Sequence, residues 1–242
     1  MPRFFVDGDR IGPETAKLTG EQAAHARVLR LKKGDTVTLC DGSGNEYRCL
    51  VSEIGPEQVC LAVEEQRPAE SEAKIAVSVY MAYAKGDKLE HVIQKATELG
   101  AVEIVAFPSE RCVSRVDEKS LRKKLPRWQK IAEAAAEQSG RGRIPQVIGL
   151  TAYGEALERA ARAAKRIFFY ENELSHSLTQ ALADSFQTVA LMTGPEGGFS
   201  QTEVRQAEVA GMEICTLGRR ILRCETAPLC ALSAVMYAAG EY

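Results

Sequence analysis

Apolar and polar residues alternate in short runs between residues 36 and 65. The runs TVTLCD, YRCLVSEI and VCLAVEEQ place apolar side chains at alternating positions, and the turn-forming segments GSGNE and GPEQ separate them. A period of two predicts strands with one buried face, and this spacing of turns is typical of a small β-barrel or curled sheet. RFFV, near the start of the chain, predicts one more strand, and LTGEQAAHARVLRLKKGD predicts a short helix that ends in a glycine turn.

The pattern changes after QRPAESEAK, a polar segment at residues 66–74 that we interpret as a linker. Apolar runs that suit buried strands then alternate with amphipathic helical patterns. The predicted strands are IAVSVYMAY, VEIVAFP, PQVIG, RIFFY, TVALMT and MEICTL, and the predicted helices are DKLEHVIQKATELG, SLRKKLPRWQKIAEAAAEQSG, YGEALERAARAAK, SLTQALADSF, SQTEVRQAEVAG and APLCALSAVMYAAG. This alternation predicts an α/β domain with a mostly parallel sheet, so we divide the chain into domains 1–70 and 71–242.

Two helices carry signals at or near their ends. Ser200 and Glu203 form a capping-box pattern at the start of a helix that Gly211 is expected to end. Pro126 lies within the long basic pattern, where it predicts either a bend in the helix or its first turn.

Composition narrows the class of protein. Hydrophobic residues make up 45% and charged residues 26% of the 242 residues, which is ordinary for a soluble globular protein. Neither a membrane span nor a signal peptide is predicted. The seven cysteines form no C-x-x-C pair, which favours reduced thiols and a cytoplasmic location. The three histidines lie far apart in sequence, so we predict no metal site.

Charge is unevenly distributed along the chain. The net charge is −2, which argues against a uniformly basic nucleic-acid-binding protein, yet residues 111–143 hold ten Lys and Arg against four Asp and Glu. A solvated helix face is one explanation of such a run. The excess of one sign and the arginine content favour the other, a surface that faces phosphates.

The segment LMTGPEGGFSQTEV passes from an apolar run through a glycine-rich turn into a helix. It matches neither common phosphate-binding glycine pattern, and Glu196 within the turn would repel a phosphate. We therefore expect a nucleoside-like ligand without phosphate, or a cationic ligand, which Gly194, Gly197 and Gly198 would allow to approach the backbone closely. The alternative is a tight turn without a ligand, in which Glu196 caps nearby N–H groups.

A second segment, TLGRRILRCETAPLCALSA, repeats the order of strand, glycine, loop and helix, with Pro228 near the first turn of the helix. Ile221 and Leu222 lie between arginines in this loop. Apolar side chains beside free backbone amides suit an adenine pocket, and packing of the loop under the last helix is the alternative.

Together the two segments resemble the SPOUT methyltransferases, and specifically the RsmE family, which methylates N3 of a uridine in 16S ribosomal RNA. The resemblance rests on TGPEGGFS followed by LGRRILRCETAP. Further stretches are similar in the same order along nearly the whole chain: RFFV, HARVLRLKKGD, KGDKLEHVIQKATELG, PSERCVSR and AEQSGRGRIPQV.

The resemblance implies a PUA-like β-barrel that binds RNA in residues 1–70. It also implies an α/β methyltransferase domain with a trefoil knot, a rare exception to the rule against knotted chains. S-adenosylmethionine would bind in the knot, the chain would form a homodimer through the knotted domain, and 16S ribosomal RNA or the small ribosomal subunit would be the substrate. S-adenosylmethionine carries a positive sulfonium and no phosphate, so a carboxylate beside it is tolerable.

Specific residues follow from the same resemblance. The donor pocket is expected to comprise Tyr170, Thr193, Gly194, Pro195, Glu196, Gly197, Leu217, Gly218, Ile221, Leu222, Arg223, Glu225, Thr226 and Ala227. Arg223 and Arg141 are candidates for stabilising the uridine anion, and Glu196 and Glu225 for orientation or proton removal. The charge pattern adds an RNA-binding set of Arg3, His25, Arg30, Arg111, Arg115, Arg122, Lys123, Lys124, Arg141 and Arg143, although His25 could instead belong to the core or to a helix cap. Cys224 replaces another small residue of many relatives, a change expected to be neutral.

Two other functions stay open at this point. One is an RNA-binding module without catalysis, whose nucleoside pocket has degenerated. The other is an enzyme that acts on nucleotide phosphates through the glycine turn. Binding of S-adenosylmethionine would distinguish a methyltransferase from both.

Overall fold

The computed structural model describes residues 1–114 and 116–242, which form two compact units. The first unit comprises residues 1–72 and 136–144, and the second comprises residues 73–135 and 145–242. Arg115, one of the residues expected to contact RNA, lies outside the described residues.

The first unit contains a five-stranded sheet and one α-helix. Its elements are β1 (Arg3–Phe5), β2 (Thr15–Thr19), α1 (Gly20–Val28), β3 (Thr36–Cys40), β4 (Asn45–Ile54) and β5 (Gln58–Pro68). The strand order is β1-β3-β4-β5-β2, and every pair is antiparallel except β1 with β3. The alternating positions of these strands bury one face around a core that includes Phe4, Leu18, Leu39 and Leu61. The predicted small N-terminal β domain is confirmed, with β2 as a strand that the pattern did not reveal.

The second unit is an α/β domain with a six-stranded parallel sheet. Its elements are β6 (Ala76–Ala82), α2 (Lys88–Glu98), β7 (Glu103–Phe107), α3 (Glu118–Ser139, whose last residues belong to the first unit), β8 (Gln146–Gly149), α4 (Tyr153–Ala160), β9 (Lys165–Phe169), α5 (Leu178–Ala181), β10 (Thr188–Thr193), α6 (Gln201–Val209), β11 (Glu213–Cys215) and α7 (Thr226–Ala238). The predicted alternation of strands and helices is confirmed. The trefoil knot stays a prediction.

The order of the strands creates a switch point in this sheet. The order is β11-β9-β10-β6-β7-β8, so the chain builds one side through β8 and then crosses to the other side with β9. Parallel strands end at the same edge, and ligands of open α/β sheets bind at that edge where the direction of winding reverses. The loops that follow β9, β10 and β11 leave from this edge.

The helix signals have mixed outcomes. The capping box is confirmed, because Ser200 Oγ accepts a hydrogen bond from Glu203 N–H and the Glu203 carboxylate accepts one from Ser200 N–H. Gly211 follows α6 with a φ of +77°, a conformation that glycine adopts without strain. Pro126 lies inside α3, so the prediction that this helix begins there is wrong. Among the described residues, no helix is long and apolar enough to cross a bilayer.

Candidate active site

The loops after β9, β10 and β11 surround a cavity of about 480 Å³ in the second unit. β9 lies between β10 and β11 in the sheet, so all three strand ends contribute to one site. The glycine turn Gly194–Gly198 forms one wall, and the segment Thr216–Cys224 forms another. Phe169, Tyr170 and Glu171, at the end of β9 and just after it, complete the lining from this side.

Protein atoms pack closely against the glycines of the turn. A Cβ on Gly194 would lie 3.1 Å from the Phe199 ring, which is 1% exposed and stacks on Phe107 in the core. A Cβ on Gly197 would lie 3.1 Å from Arg111 Cβ and 3.3 Å from the Arg111 carbonyl oxygen. Gly198 has a φ of +66°, and its N–H donates to the Pro195 carbonyl. The sequence suggested that these glycines admit a ligand, and the structure gives protein atoms as the nearest neighbours.

Glu196 is held by two hydrogen bonds to one carboxylate oxygen. Its Oε1 accepts from the Lys85 N–H at 3.0 Å and from Lys88 Nζ at 2.9 Å. Burial alone would raise the pKa of Glu196, but these hydrogen bonds outweigh it and hold the pKa below its ordinary value. The hydrogen bond to Glu196 correspondingly raises the pKa of Lys88. The carboxylate in the glycine turn therefore has a protein cation as its partner.

Lys88 also reaches the loop that precedes α7. Its Nζ lies 3.7 Å from Glu225 Oε2 and 3.8 Å from Cys224 Sγ. The Cys224 thiol donates to Glu225 at 3.3 Å, and burial raises the pKa of this thiol to about 12. Backbone hydrogen bonding lowers the pKa of Glu225, and Lys88 acts in the same direction. One lysine thus connects the two segments that form the cavity walls.

The loop after β11 presents apolar side chains to the cavity. Ile221 lines the cavity and is 79% exposed, so packing of this side chain in the core is excluded. Leu222 is partly buried and lines the cavity as well. Gly218 has a φ of +102°, and the Thr216 hydroxyl bonds to the Gly218 backbone at both N–H and carbonyl. The loop is therefore ordered locally while its apolar side chains face open space.

The expected donor residues converge on this cavity with two exceptions. Glu225 and Thr226 stand at the start of α7, outside the lining, and Glu225 is the N-cap residue of that helix. Gly198, which the sequence suggested as a glycine that a ligand approaches, also lines the cavity. The other lining residues were absent from the expected donor set: Lys88, Phe169, Glu171, Phe199, Thr216, Arg220 and Cys224. Most of them neighbour motif positions, whereas Lys88 lies far away in the sequence, in the matching stretch KGDKLEHVIQKATELG.

A further loop supports the glycine turn from behind. The Glu110 N–H donates to Glu203, the capping residue of α6, at 2.9 Å. Arg111 Nη1 donates to the Gly197 carbonyl at 3.1 Å, and the Arg111 side chain is exposed. Arg111, one of the residues expected to contact RNA, is therefore bonded directly to the turn that lines the cavity.

The basic run of α3 presents several exposed cations in the second unit. Arg122, Lys123 and Lys124 are exposed. Arg122 lies 3.9 Å from Glu118 on the same helix, and Lys124 Nζ lies 5.9 Å from the centre of the Trp128 ring. Exposed contacts of this kind hold the two side chains together only weakly, so these cations are accessible to phosphates.

In the first unit, two of the expected RNA-contacting arginines have carboxylate partners. Arg141 is 3% exposed, and its guanidinium donates to both oxygens of Glu72, with the shorter contact at 2.7 Å. Arg3 is partly buried and donates to Glu46 at 2.8 Å. These contacts give Arg3 and Arg141 a structural role inside the unit, which is a different role from the anion stabilisation expected of Arg141.

The other expected RNA contacts of the first unit are exposed: His25, Arg30 and Arg143. His25 lies edge-on against the buried Phe4 ring, with centroids 5.6 Å apart. The side chain is therefore exposed and also packs against the core, which keeps both interpretations of His25 open.

One mixed group of metal-binding residue types occurs in the second unit. Among the described residues, His176, Glu213 and Cys215 bring one ligand atom each within 4.8 Å of one another. His176 Nε2 is hydrogen-bonded to Glu213, Lys165 Nζ lies 3.7 Å from the same carboxylate, and burial raises the pKa of Cys215 to about 12. A protonated thiol and a carboxylate that is already paired with a histidine and a lysine bind metals poorly. We therefore attribute the proximity of these three residues to hydrogen bonding within the protein.

Comparison with known proteins identifies two families of RNA methyltransferase domains. A family described as the RNA methyltransferase domain matches residues 71–236, and one described as the RNA methyltransferase PUA domain matches residues 18–64. Ribosomal RNA small subunit methyltransferase E of Bacillus subtilis (strain 168) is 36% identical over 98% of this chain and 96% of its own length. The protein of the same name from a Synechocystis species is 33% identical over 96% of this chain and 76% of its own length.

A solved structure is similar over the full fold. It is that of ribosomal RNA small subunit methyltransferase E from Neisseria gonorrhoeae bound to S-adenosyl methionine. Its TM-score is 0.89 at 32% identity, and the match covers 98% of this chain and 97% of the other.

Proposed function

The chain belongs to the family of ribosomal RNA small subunit methyltransferase E, and on that premise we propose that it transfers a methyl group from S-adenosylmethionine to N3 of a uridine in 16S ribosomal RNA. The observation that carries the proposal is the cavity at the ends of β9, β10 and β11. A carboxylate lies in its glycine turn, at the place where a nucleotide-phosphate enzyme would hold its ligand's negative charge.

The residues of the cavity fit this donor. A volume of about 480 Å³ lies within the range of small-molecule sites, roughly 300–1,000 Å³. Leu217, Ile221 and Leu222 offer apolar surface for an adenine ring, while Glu171, which has no ion-pair partner among the described residues, would repel a phosphate. This combination favours a cationic nucleoside and counts against the rival enzyme that would act on nucleotide phosphates.

Catalysis by the chain rests first on positioning. The bound donor supplies a methyl group on a positively charged sulfur. The glycine turn and the Thr216–Cys224 loop would hold this donor, and Lys88 ties the two segments together through Glu196 and Glu225. When the donor is held in a fixed position, methyl transfer becomes a reaction within a single complex instead of one between two separate molecules, which lowers the barrier substantially.

The second task is to stabilise charge on the uridine. N3 carries a proton, and its loss to water places negative charge on O2 and O4 of the base. Arg220 and Arg223 line the cavity with exposed side chains, so we assign them to this developing charge. Glu196 and Glu225 have lowered pKa values and contacts with Lys88, which makes them weak bases and favours an orienting role.

RNA recognition uses both units in this proposal. N3 lies on the Watson–Crick edge, so the target uridine must be unpaired or flipped out of a stack. Arg111, Arg122, Lys123 and Lys124 supply phosphate contacts in the second unit. His25, Arg30 and Arg143 supply them in the PUA-like first unit, whose stability rests in part on Arg3 and Arg141.

The proposal extends to assembly and location. α7 carries exposed positions at helical spacing, with Tyr237 75% exposed, and we propose that the second unit forms a homodimer through this helix. The substrate is 16S ribosomal RNA, free or in the small ribosomal subunit, and the reaction takes place in the cytoplasm.

Nucleoside mass spectrometry of ribosomal RNA tests the proposed function. RNA from a strain that lacks the gene should lose N3-methyluridine from its small subunit, and restoring the gene should return it. A variant with both Arg220 and Arg223 changed to Ala should fold and fail to restore it. Loss of a different methylated nucleoside would overturn the assignment to N3, and unchanged methylation would overturn the enzymatic function, leaving the non-catalytic RNA-binding module.

A further inference from the structure

Two carboxylates line the cavity, and the structure gives them different surroundings. Glu196 accepts hydrogen bonds from Lys85 N–H and from Lys88 Nζ, so a cation of the protein neutralises its charge. Glu171 lines the same cavity and is exposed. Among the described residues, no lysine, arginine or histidine forms an ion pair with Glu171 within 4.0 Å.

The backbone fixes the position of Glu171. Tyr170 N–H donates to the Cys215 carbonyl at 3.1 Å, which attaches the end of β9 to β11. Glu173 N–H then donates to the Tyr170 carbonyl at 3.2 Å, so Glu171 stands at the corner of a closed turn. Glu173 anchors the turn further by accepting hydrogen bonds from the Ser175 N–H and hydroxyl, each at 2.6 Å. The backbone that carries Glu171 is therefore held at the cavity wall.

The glycine turn provides the space that this carboxylate occupies. A Cβ on Gly198 would lie 2.2 Å from Glu171 Oε1 and 2.9 Å from its Cδ. Any side chain at position 198 would therefore displace the carboxylate. The φ of +66° at Gly198 favours glycine for an independent reason. The negative charge of Glu171 thus lies against the turn that forms the cavity wall.

Resting on the proposed function, we propose that Glu171 is the specificity-determining carboxylate with which the cavity distinguishes S-adenosylmethionine from S-adenosylhomocysteine. The two ligands share the adenine, the ribose, the amino group and the carboxylate. They differ in a methyl group and in the positive charge on sulfur, which transfer of the methyl group removes. A carboxylate that forms no ion pair with a described cation of the protein favours the charged donor and releases the neutral product more readily.

The size of the effect follows from Coulomb's law. Opposite unit charges about 5 Å apart in a water-exposed site correspond to roughly a fivefold difference in affinity. Glu196 should contribute less to this discrimination because its charge already has a partner in Lys88. The two carboxylates of one cavity therefore have separate tasks, one in selecting the ligand and one in holding the walls.

Calorimetric titration of the full chain with each ligand tests this inference. Glu171→Gln should lose about fivefold in affinity for S-adenosylmethionine and less than twofold for S-adenosylhomocysteine. Glu158→Gln is the matched control, since it removes the same charge from an exposed position of α4 outside the cavity, and both affinities should stay unchanged. Glu171→Asp keeps the charge and should keep more of the discrimination than Glu171→Gln.

Three results would overturn the inference. Equal losses for the two ligands in Glu171→Gln would mean that Glu171 contacts a part they share, such as the ribose hydroxyls. If Glu171→Gln binds both ligands as tightly as the wild-type chain does, Glu171 does not take part in selecting the donor, and the proposed function stays intact. Failure of the wild-type chain to bind either ligand would overturn the proposed function together with this inference.

Discussion

Lys88 Nζ lies 2.9 Å from Glu196 Oε1 and joins α2 to the glycine turn that follows β10. The two residues are 108 positions apart in the sequence. They meet because β6, which precedes α2, is paired in parallel with β10, so the ends of both strands lie side by side. The contact therefore depends on strand order and fixes the wall of the donor cavity.

Replacement of Lys88 by Met should lower the stability of the fold at this wall of the cavity and remove the part of that stability that is lost at low pH. The hydrogen bond from Lys88 helps hold the pKa of Glu196 below its ordinary value of 4.5. The ionised Glu196 therefore stabilises the fold above pH 4.5, and this stabilisation is lost as pH falls through the lowered pKa. The pKa of Lys88 is raised, so the contribution of its charge to the stability of the fold is present below pH 10.5 and is lost as pH rises through the raised pKa. Thermal melting should show Lys88→Met below wild type at pH 7, with the difference shrinking toward pH 3.

Lys88→Arg is the control for this experiment because it keeps the positive charge. It should retain most of the wild-type response to pH and most of the affinity for S-adenosylmethionine. Equal melting temperatures of wild type and Lys88→Met at pH 7 would show that the ion pair adds nothing to the fold.

Replacement of Gly197 by Val should destabilise the fold through a clash with Arg111. The added Cβ would meet Arg111 Cβ at 3.1 Å and its carbonyl oxygen at 3.3 Å, and this backbone is held by the Glu110–Glu203 hydrogen bond. We expect a loss of about 1–3 kcal/mol in the free energy of unfolding, measured with urea. Gly154→Val is a control, since nothing lies within 4 Å of a Cβ there. A loss of donor affinity in Gly197→Val at unchanged stability would instead place the ligand against Gly197.

The sequence predicted those features whose cause is local. The Ser200–Glu203 capping box, the strands around Leu39 and Val51 and the alternation of the second unit follow from patterns within a few residues. β2 was not predicted, because Thr15–Thr19 is short and contributes only Ala16 and Leu18 to the core. Such a strand forms because a partner already exists in β5, and the sequence pattern contains no sign of that partner.

The same distinction applies to the candidate site. The two motif loops could be identified from their own residues, because a glutamate in a glycine turn is unusual wherever it occurs. Lys88 and Glu171 acquire their roles only when β6, β9 and β10 are known to be neighbours in one sheet. The buried state of Arg141 was hidden for a related reason, since its partner Glu72 lies in a stretch that we interpreted as a linker.

Replacement of Arg141 by Met should destabilise the first unit strongly. The Glu72 side chain is 14% exposed, and its carboxylate also accepts the N–H groups of Gly142 and Arg143. Removing the buried guanidinium leaves a partly buried carboxylate without this cation, which costs up to about 3–5 kcal/mol. Denaturant unfolding should show this loss, whereas Arg48→Ala, which breaks the exposed pair with Glu64, should cost under about 1 kcal/mol. A small effect of Arg141→Met would return Arg141 to the candidates for contact with RNA.

Replacement of Tyr237 by Asp should dissociate the proposed homodimer. Tyr237 is a large side chain that is 75% exposed on α7, a helix in which apolar residues surround most of the axis. A charge at this position would have to be desolvated on association, which opposes the contact. Sedimentation should give a dimer for wild type at micromolar concentration and a monomer for Tyr237→Asp. A wild-type monomer would contradict the proposed assembly, and a dimeric variant would place the interface elsewhere.

Simultaneous replacement of Arg122, Lys123 and Lys124 by Ala should weaken RNA binding and flatten its salt dependence. These exposed cations of α3 would neutralise phosphates, and each lost contact should lower the slope of log K against log salt by about 0.7–0.9. Filter binding to small-subunit RNA across a salt series measures the slope, and titration with S-adenosylmethionine should give the wild-type affinity.

Arg162 and Arg205, also exposed in the second unit, provide the control for this change of charge. Their replacement by Ala should leave the slope nearly unaltered, because they lie outside the basic run of residues 111–143. Intact RNA affinity in the triple variant would make the run a solvated helix face. A fall in donor affinity together with RNA affinity would show that this part of α3 supports the fold of the donor site, and would contradict the separation of phosphate contact from donor binding.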